Sequence, residues 1–418
     1  MSAVSRPAKQ KPEPPLALED ARARILAELR PVATVERVAV REALNRVLAK
    51  DLISGVDVPA HTNSAMDGYA VRAADLPAAE RATFRLVGDS FAGHPFPGEV
   101  QPGECVRIMT GAVLPRGADT VVIQEDVAIE TAGVSVGAGH RAGQHVRQAG
   151  EDLAVGSRAL AAGRRLTPAD LGLIASLGVA EVGVRRALRV AFFSTGDELR
   201  SLGEPLGPGD IYDSNRYTLY GMLQRFGADL LDLGVVRDTP EALRAAFEHA
   251  AAAADVVITT GGVSVGAADY VRSTLAEVGA IGFWRVNMKP GKPLAFGRLN
   301  GGAVFFGLPG NPVSSMVTYY ELVLPALDHL AGAEPRTCVA LMLPLAEPIR
   351  KTHHRREFQR GRLECGADGE LGVRPAAPQG SGILRSMSLA DCFIVLPEES
   401  GSVEVGERVR VELFAGLV

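Results

Sequence analysis

Between residues 187 and 330, short apolar runs alternate with amphipathic segments, and three of the runs end in a glycine turn. Val190 to Phe193 leads into Ser194-Thr195-Gly196-Asp197-Glu198. Val256 to Ile258 leads into Thr259-Thr260-Gly261-Gly262, and Ala303 to Phe306 leads into Leu308-Pro309-Gly310-Asn311-Pro312. Between them, Asp213-Ser214-Asn215 caps a helix to about Phe226, Thr239-Pro240 opens another to about Ala253, and a third ends near Val278. Strands alternating with helices predict a doubly wound, mostly parallel sheet. In such a sheet ligands bind where the strands end. Glycine lets the backbone come close to a ligand there, and helix starts present N–H groups to an anion.

One glycine turn is ordinary loop closure. Three at one sheet edge, with Asp197, Glu198 and Asp269 beside them, point to a site for a phosphorylated ligand. Carboxylates next to an anion repel it unless a divalent cation bridges them, and Mg²⁺ does so with one or two carboxylates plus phosphate oxygens and waters. Asn287-Met288-Lys289-Pro290-Gly291-Lys292-Pro293 supplies positive charge on a stiff backbone. A solvated turn would look similar; the alternative is an oxyanion cradle. It is no P-loop, because Val286 stands where the first glycine is required. Gly262-Val263-Ser264-Val265-Gly266 matches a nucleophile elbow, which needs a later histidine. Only His329, in an apolar helix, and His353 and His354, in a basic run, follow it, so a serine hydrolase is disfavoured.

The rest of the chain reads as four further parts. Residues 1–15 are polar and proline-rich, a disordered tail without the apolar core of a signal peptide. Residues 16–50 look helical, with Leu18, Ala21, Ile25 and Leu29 at helical spacing, and with 151–186 they form a helical lobe. Residues 51–150 are a β-rich module of short runs and Gly/Pro turns, and 335–418 suggest a C-terminal barrel or sandwich. A net charge of −5 argues against a nucleic-acid binder. No apolar run approaches the ~20 residues of a membrane span. Four widely spaced cysteines without a CxxC pair read as reduced thiols, and a cytoplasmic protein follows.

Ordered motifs over about residues 17 to 415 carry a resemblance: SAMDGYAV (64–71), RIMTGA (107–112), GED (150–152), STGDEL (194–199), YDSN (212–215), TTGGVSVGAADY (259–270), KPGKP (289–293) and GLPGNP (307–312). Together they resemble the molybdopterin molybdenumtransferases, the family of bacterial MoeA and the gephyrin E domain. The resemblance implies a multidomain α/β plus β fold with a MogA-like central sheet and a C-terminal β-barrel-like domain. It implies insertion of molybdate into adenylylated molybdopterin with release of AMP, dependence on Mg²⁺, and a homodimer with a composite site. The molybdopterin adenylyltransferase is an implied partner.

Residue by residue, the resemblance makes Asp67, Thr110, Glu198 and Asp269 catalytic. Asp152, Asp238, Gly261, Gly262, Ser264, Lys289, Lys292, Pro309, Pro312 and Ser381 bind substrate, and Glu198, Asp238 and Asp269 hold the metal. Arg285 stands where some relatives carry lysine, and a guanidinium fork is not a point charge. Three alternatives stay open: the preceding adenylylation step, a gephyrin-like scaffold, and tungstate as the oxyanion.

Overall fold

The computed structural model describes residues 14–262, 269–336, 338–352, 354–366, 369–376 and 378–414. Almost all of the expected tail over 1–15 lies outside the described residues, as do Ser264 and the side chain of Asp269. The chain divides into two compact units. One comprises residues 1–36, 45–47 and 184–418, the other 37–44 and 48–183.

The first unit is built on a six-stranded sheet. Its order is Asp229–Val236, Arg189–Thr195, Val256–Thr260, Val304–Leu308, Pro293–Leu299, Gly279–Arg285. The first four strands are parallel; Pro293–Leu299 is antiparallel to both its neighbours. Side chains alternate between two cores. Val190, Phe192, Val256, Ile258 and Phe306 pack against Leu219, Met222, Leu223 and Phe226 of the helix Ser214–Phe226. Ala191, Phe193, Val257 and Phe305 pack on the other face, against Leu243, Phe247 and Ala250 of Pro240–Ala253 and Val271, Leu275 and Val278 of Asp269–Val278. This two-sided burial explains why the strands read as unbroken apolar runs. Thr239 caps Pro240–Ala253 by accepting from Ala242 N, and Pro240 occupies its first turn. Burying Leu243 and Phe247 contributes roughly 1.5–3 kcal/mol each.

The C-terminal strands form a second sheet in this unit, ordered Met288–Lys289, Arg356–Cys365, Cys392–Leu396, Arg408–Leu413, Ala340–Pro344, with Leu371–Pro375 on the far side of Arg356–Cys365. A bridge between Leu345 and Val373 joins the two ends, so the sheet curls into a small barrel. Leu343, Leu345, Val373, Cys392, Ile394, Leu396, Val409 and Val411 fill it, while Phe393 and Val395 face the larger core.

In the second unit six strands run in the order Thr120–Ile123, Gly68–Val71, Glu104–Ile108, Ala82–Ser90, Gly133–Val136, Val127–Glu130. They enclose Tyr69, Val71, Phe84, Cys105, Val122, Val134 and Val136. Its helix, Pro168–Ser176, starts with a reciprocal capping box between Thr167 and Asp170.

Of residues 16–50, which look helical, Leu18–Glu28 is the α-helix, ending before Pro31 where the apolar spacing stops, and Val35–Ala39 is a strand. Leu29 turns extended two residues before Pro31, and the following Val32, Thr34, Val35, Val38 and Val40 favour strand over helix. The helix that does form buries Leu18, Ala21 and Ile25 in the core of the first unit. No described helix is long and apolar enough to cross a membrane. All four cysteines are free, with Cys105 and Cys392 buried.

Candidate functional site

Parallel strands carry the three glycine turns out on one edge of the sheet, as their sequences required. The turns are interlocked by backbone and side-chain hydrogen bonds. Gly261 N–H donates to the Leu308 carbonyl at 3.2 Å. Ser194 Oγ donates to Asp213 Oδ1 at 2.9 Å and lies 2.9 Å from Thr260 Oγ1. Asp213 in turn caps the helix Ser214–Phe226 by accepting from Arg216 N. Gly261 and Gly262 have φ of +91° and +67°, where a side chain is strained.

The acids gather beside the first turn. The pKa of Asp238 is raised by burial and then by the charges of Asp197 and Glu198, so these carboxylates sit within electrostatic reach of one another. Asp238 Oδ1 is buried and has no hydrogen-bond partner among the described residues. No group of three His, Cys, Asp or Glu side chains among the described residues is arranged to hold a metal ion.

The cations gather elsewhere on the same edge. Lys289, Lys292, Pro309, Gly310 and Ser381 line a cavity of about 480 Å³ together with Arg355, Glu357, Gln359, Arg360 and Gln379. Pro312 starts the helix just behind this wall, and Val313 N–H donates to the Ser381 carbonyl at 3.1 Å. Glu198 and Asp238 are not among the lining residues, so these two acids lie outside the cavity that holds the lysines.

Inside the cavity, Lys289 Nζ lies 3.3 Å from Oε1 of the buried Glu357, whose Oε2 accepts from Gln359 Nε2 at 3.1 Å. The pKa of Lys292 is lowered by partial burial and by its cationic neighbours Arg285 and Arg355. Arg360 is only 1% exposed. Its Nε donates to Ser386 Oγ at 2.9 Å and its Nη2 to the Gly380 carbonyl at 3.2 Å, but no described carboxylate pairs with it. Burial pulls its pKa down from 12.5 to about 10. A buried guanidinium without a counter-ion is costly unless an anion completes it. With four cationic side chains against one carboxylate, the cavity has the charge to hold an oxyanion.

The sequence did not single out Arg360. It lies in Arg-Glu-Phe-Gln-Arg-Gly-Arg, a charged stretch that matches no motif, and the structure makes it the strand Arg356–Cys365 with residues 357–361 buried.

The second unit brings two predicted residues together. Gly68 pairs with Ile108 across antiparallel strands, which places the motifs SAMDGYAV and RIMTGA side by side. Asp67 Oδ1 accepts from both Thr110 N and Thr110 Oγ1 at 2.7 Å, and these donors lower its pKa. Asp152 is exposed on another loop of the unit, where its N–H donates to the Val58 carbonyl, and it makes no bond to that pair.

A parallel α/β sheet edge with interlocked glycine turns, acids beside one turn and a cationic cavity beside another marks a protein with a ligand site at the strand ends. Comparison with known proteins gives the family. Residues 16–178 match the MoeA N-terminal region (domain I and II), 191–329 the probable molybdopterin binding domain, and 342–414 the MoeA C-terminal region (domain IV). The chain is 42% identical over 405 residues to the molybdopterin molybdenumtransferase of Haemophilus influenzae, covering 96% of this chain and 100% of that one. The Nostoc enzyme of the same name is 39% identical over 90% of this chain and 88% of that one. Gephyrin of Dictyostelium discoideum is 33% identical over 91% of this chain and 59% of that one. Among solved structures, the molybdopterin biosynthesis moeA protein of Pyrococcus horikoshii matches with a TM-score of 0.82 and 28% identity, covering 96% of this chain and 100% of that chain. The chain belongs to the molybdopterin molybdenumtransferase family, a family of molybdenum cofactor biosynthesis.

Proposed function

We propose that this protein inserts molybdate into adenylylated molybdopterin and releases AMP, acting in the cytoplasm as a homodimer with a shared site. The observation that carries the reading is Arg360, buried and without a carboxylate partner among the described residues, in a cavity with Lys289, Lys292, Arg355 and Ser381. These residues bind the oxyanion, while N–H groups of the turns at 196, 261–262 and 310 take the phosphates. The attacking oxygen belongs to molybdate or to water, and no protein nucleophile is required. The cavity is walled in part by Arg360, Gln379 and Ser381 of the C-terminal domain, which favours insertion over adenylylation. The adenylylation step needs only the α/β domain, and its enzyme stands as a handover partner in this reading.

The residues suit Mg²⁺. Asp238 offers a buried acceptor without a partner among the described residues, and Asp197 and Glu198 are near enough to raise its pKa. Mg²⁺ needs only one or two such carboxylates, because phosphate oxygens and waters complete its shell. Glu198 and Asp238 would hold it, with Asp269 as the third acid that the family suggests. When bound, the ion neutralises charge on the phosphates. Within the same reading Asp67, Thr110 and Asp152 of the partner subunit serve the shared site, and Gly261, Gly262 and Ser264 form the phosphate turn.

Purified protein with Mg²⁺ and adenylylated molybdopterin should release AMP faster once molybdate is added. Activity toward ATP and molybdopterin without molybdate dependence would mean the adenylyltransferase, and no turnover of either substrate would favour a scaffold. Mixing inactive Asp67→Asn and Glu198→Gln proteins tests the shared site. Random re-pairing should restore about a quarter of wild-type activity, because half of the dimers carry one intact site of two.

A further inference from the structure

The motif Tyr212-Asp213-Ser214-Asn215 has no role in the chemistry above, yet it joins the acidic turn to the cavity. We propose that Asn215 is a positioning residue, locking the turn that walls the oxyanion cavity to the turn that carries the acids, so that phosphate and oxyanion meet at the right separation. This rests on the functional reading just given.

The link is a continuous path of hydrogen bonds. Ile211 N–H donates to the Glu198 carbonyl at 2.9 Å and Asp213 N–H to the Arg200 carbonyl at 3.1 Å, which ties the start of the helix to the acidic turn. Asn215 Nδ2 then donates to the Gly310 carbonyl at 2.7 Å. Gly310 stands between Pro309 and Asn311, all three lining the cavity, and Val313 N–H continues to Ser381. Asn215 is the side chain through which the helix after the acidic turn holds the cavity turn.

The amide orientation follows from this contact, because a carbonyl must be faced by the NH₂ end. Its Oδ1 is then turned away, buried and without a hydrogen-bond partner among the described residues. Native folds seldom leave a buried acceptor unpaired. An asparagine held at that cost is poorly explained as a device for stability. Positioning explains it better, since a displacement of about 1 Å between reacting groups costs ~10²-fold in rate.

Asn215→Asp separates the two explanations. The carboxylate has the same size and suits the first turn of a helix, but it cannot donate to the Gly310 carbonyl. Turnover at saturating substrates should fall about 10- to 100-fold. The molybdate concentration for half-maximal rate should stay within about threefold, as expected when a step after binding is affected. The melting temperature should fall by only a few degrees, the cost of one hydrogen bond lost at the Gly310 carbonyl. Asn215→Ala should lose turnover to the same degree. Wild-type turnover in Asn215→Asp, or turnover lost only in step with thermal stability, overturns the inference while leaving the functional reading intact. Wild-type protein that releases no AMP overturns both.

Discussion

Gly261 lies so close to Thr195 that a Cβ at position 261 would stand 2.4 Å from the Thr195 carbonyl oxygen. Two of the three turns thus touch through backbone alone, and only glycine permits it. Gly261→Ala should destabilise the protein by roughly 1–3 kcal/mol, from the strain at φ of +91° and the clash together. At Gly262 the obstacle is a side chain and not backbone, Cγ2 of Val271 at 2.6 Å, and φ of +67° is nearer the left-handed region that L-residues tolerate. Thermal melts of the two alanine variants should therefore rank Gly261→Ala as the less stable. The reverse order would mean that the turns are not held by this contact.

The acids should matter for rate and not for folding. Glu198 is exposed and Asp238 is only partly buried, in like-charged company. Glu198→Gln and Asp238→Asn should each lower AMP release by roughly 10²-fold or more if they hold the metal. Neither should lower the melting temperature, since each removes a repelling charge. Either variant with wild-type turnover at limiting Mg²⁺ would be removed from the site.

Arg360 should show stability and function moving apart. Arg360→Met takes out of the interior a cation with no carboxylate partner among the described residues; Ser386 Oγ keeps its own bond to the Ile383 carbonyl, and the Gly380 carbonyl loses one donor. The variant should melt no lower than wild type, because replacing a buried charge by an apolar side chain is often neutral or stabilising. Its half-saturating molybdate concentration should rise at least about tenfold, the loss expected for a charge-assisted hydrogen bond. Titration with molybdate alone measures this without turnover. Unchanged affinity would show that the anion sits elsewhere.

Glu321 gives a pH dependence unrelated to the site. It lies in the π-turn Tyr319–Val323 and pairs with Arg22 at 3.0 Å. Burial, with Glu412 adding to it against Arg22 and Arg356, raises its pKa from 4.5 to about 7. Between those values the folded carboxyl keeps a proton that the unfolded chain releases, so stability from this group is lost as pH rises from about 4.5 through 7. Glu321→Gln cannot ionise. Its melting temperature relative to wild type should therefore climb between pH 5 and pH 8 in calorimetric scans. A constant difference across that range would contradict the assignment.

Much of this molecule was legible in the order of its residues. Apolar runs such as Val256 to Ile258, buried on both faces, marked the sheet. Thr239-Pro240 marked a helix start, and the glycine turns had to emerge where the strands end. These are local rules, in which a residue's neighbours along the chain fix its backbone. The helical reading held up to Pro31 and failed after it, where β-branched residues favour a strand. The strand Gly279–Arg285 and the antiparallel edge it forms went unseen, because pairing is set by partners distant in sequence. The same holds for the site. Lys289, Lys292 and the acids could be named from their motifs, but the placing of Glu198 and Asp238 outside the lysines' cavity could not. Only the fold buries Arg360 away from every described carboxylate and brings Asn215, 95 residues earlier, to the carbonyl of Gly310. Burial and electrostatics depend on what packs around a charge, and that is decided by the tertiary structure.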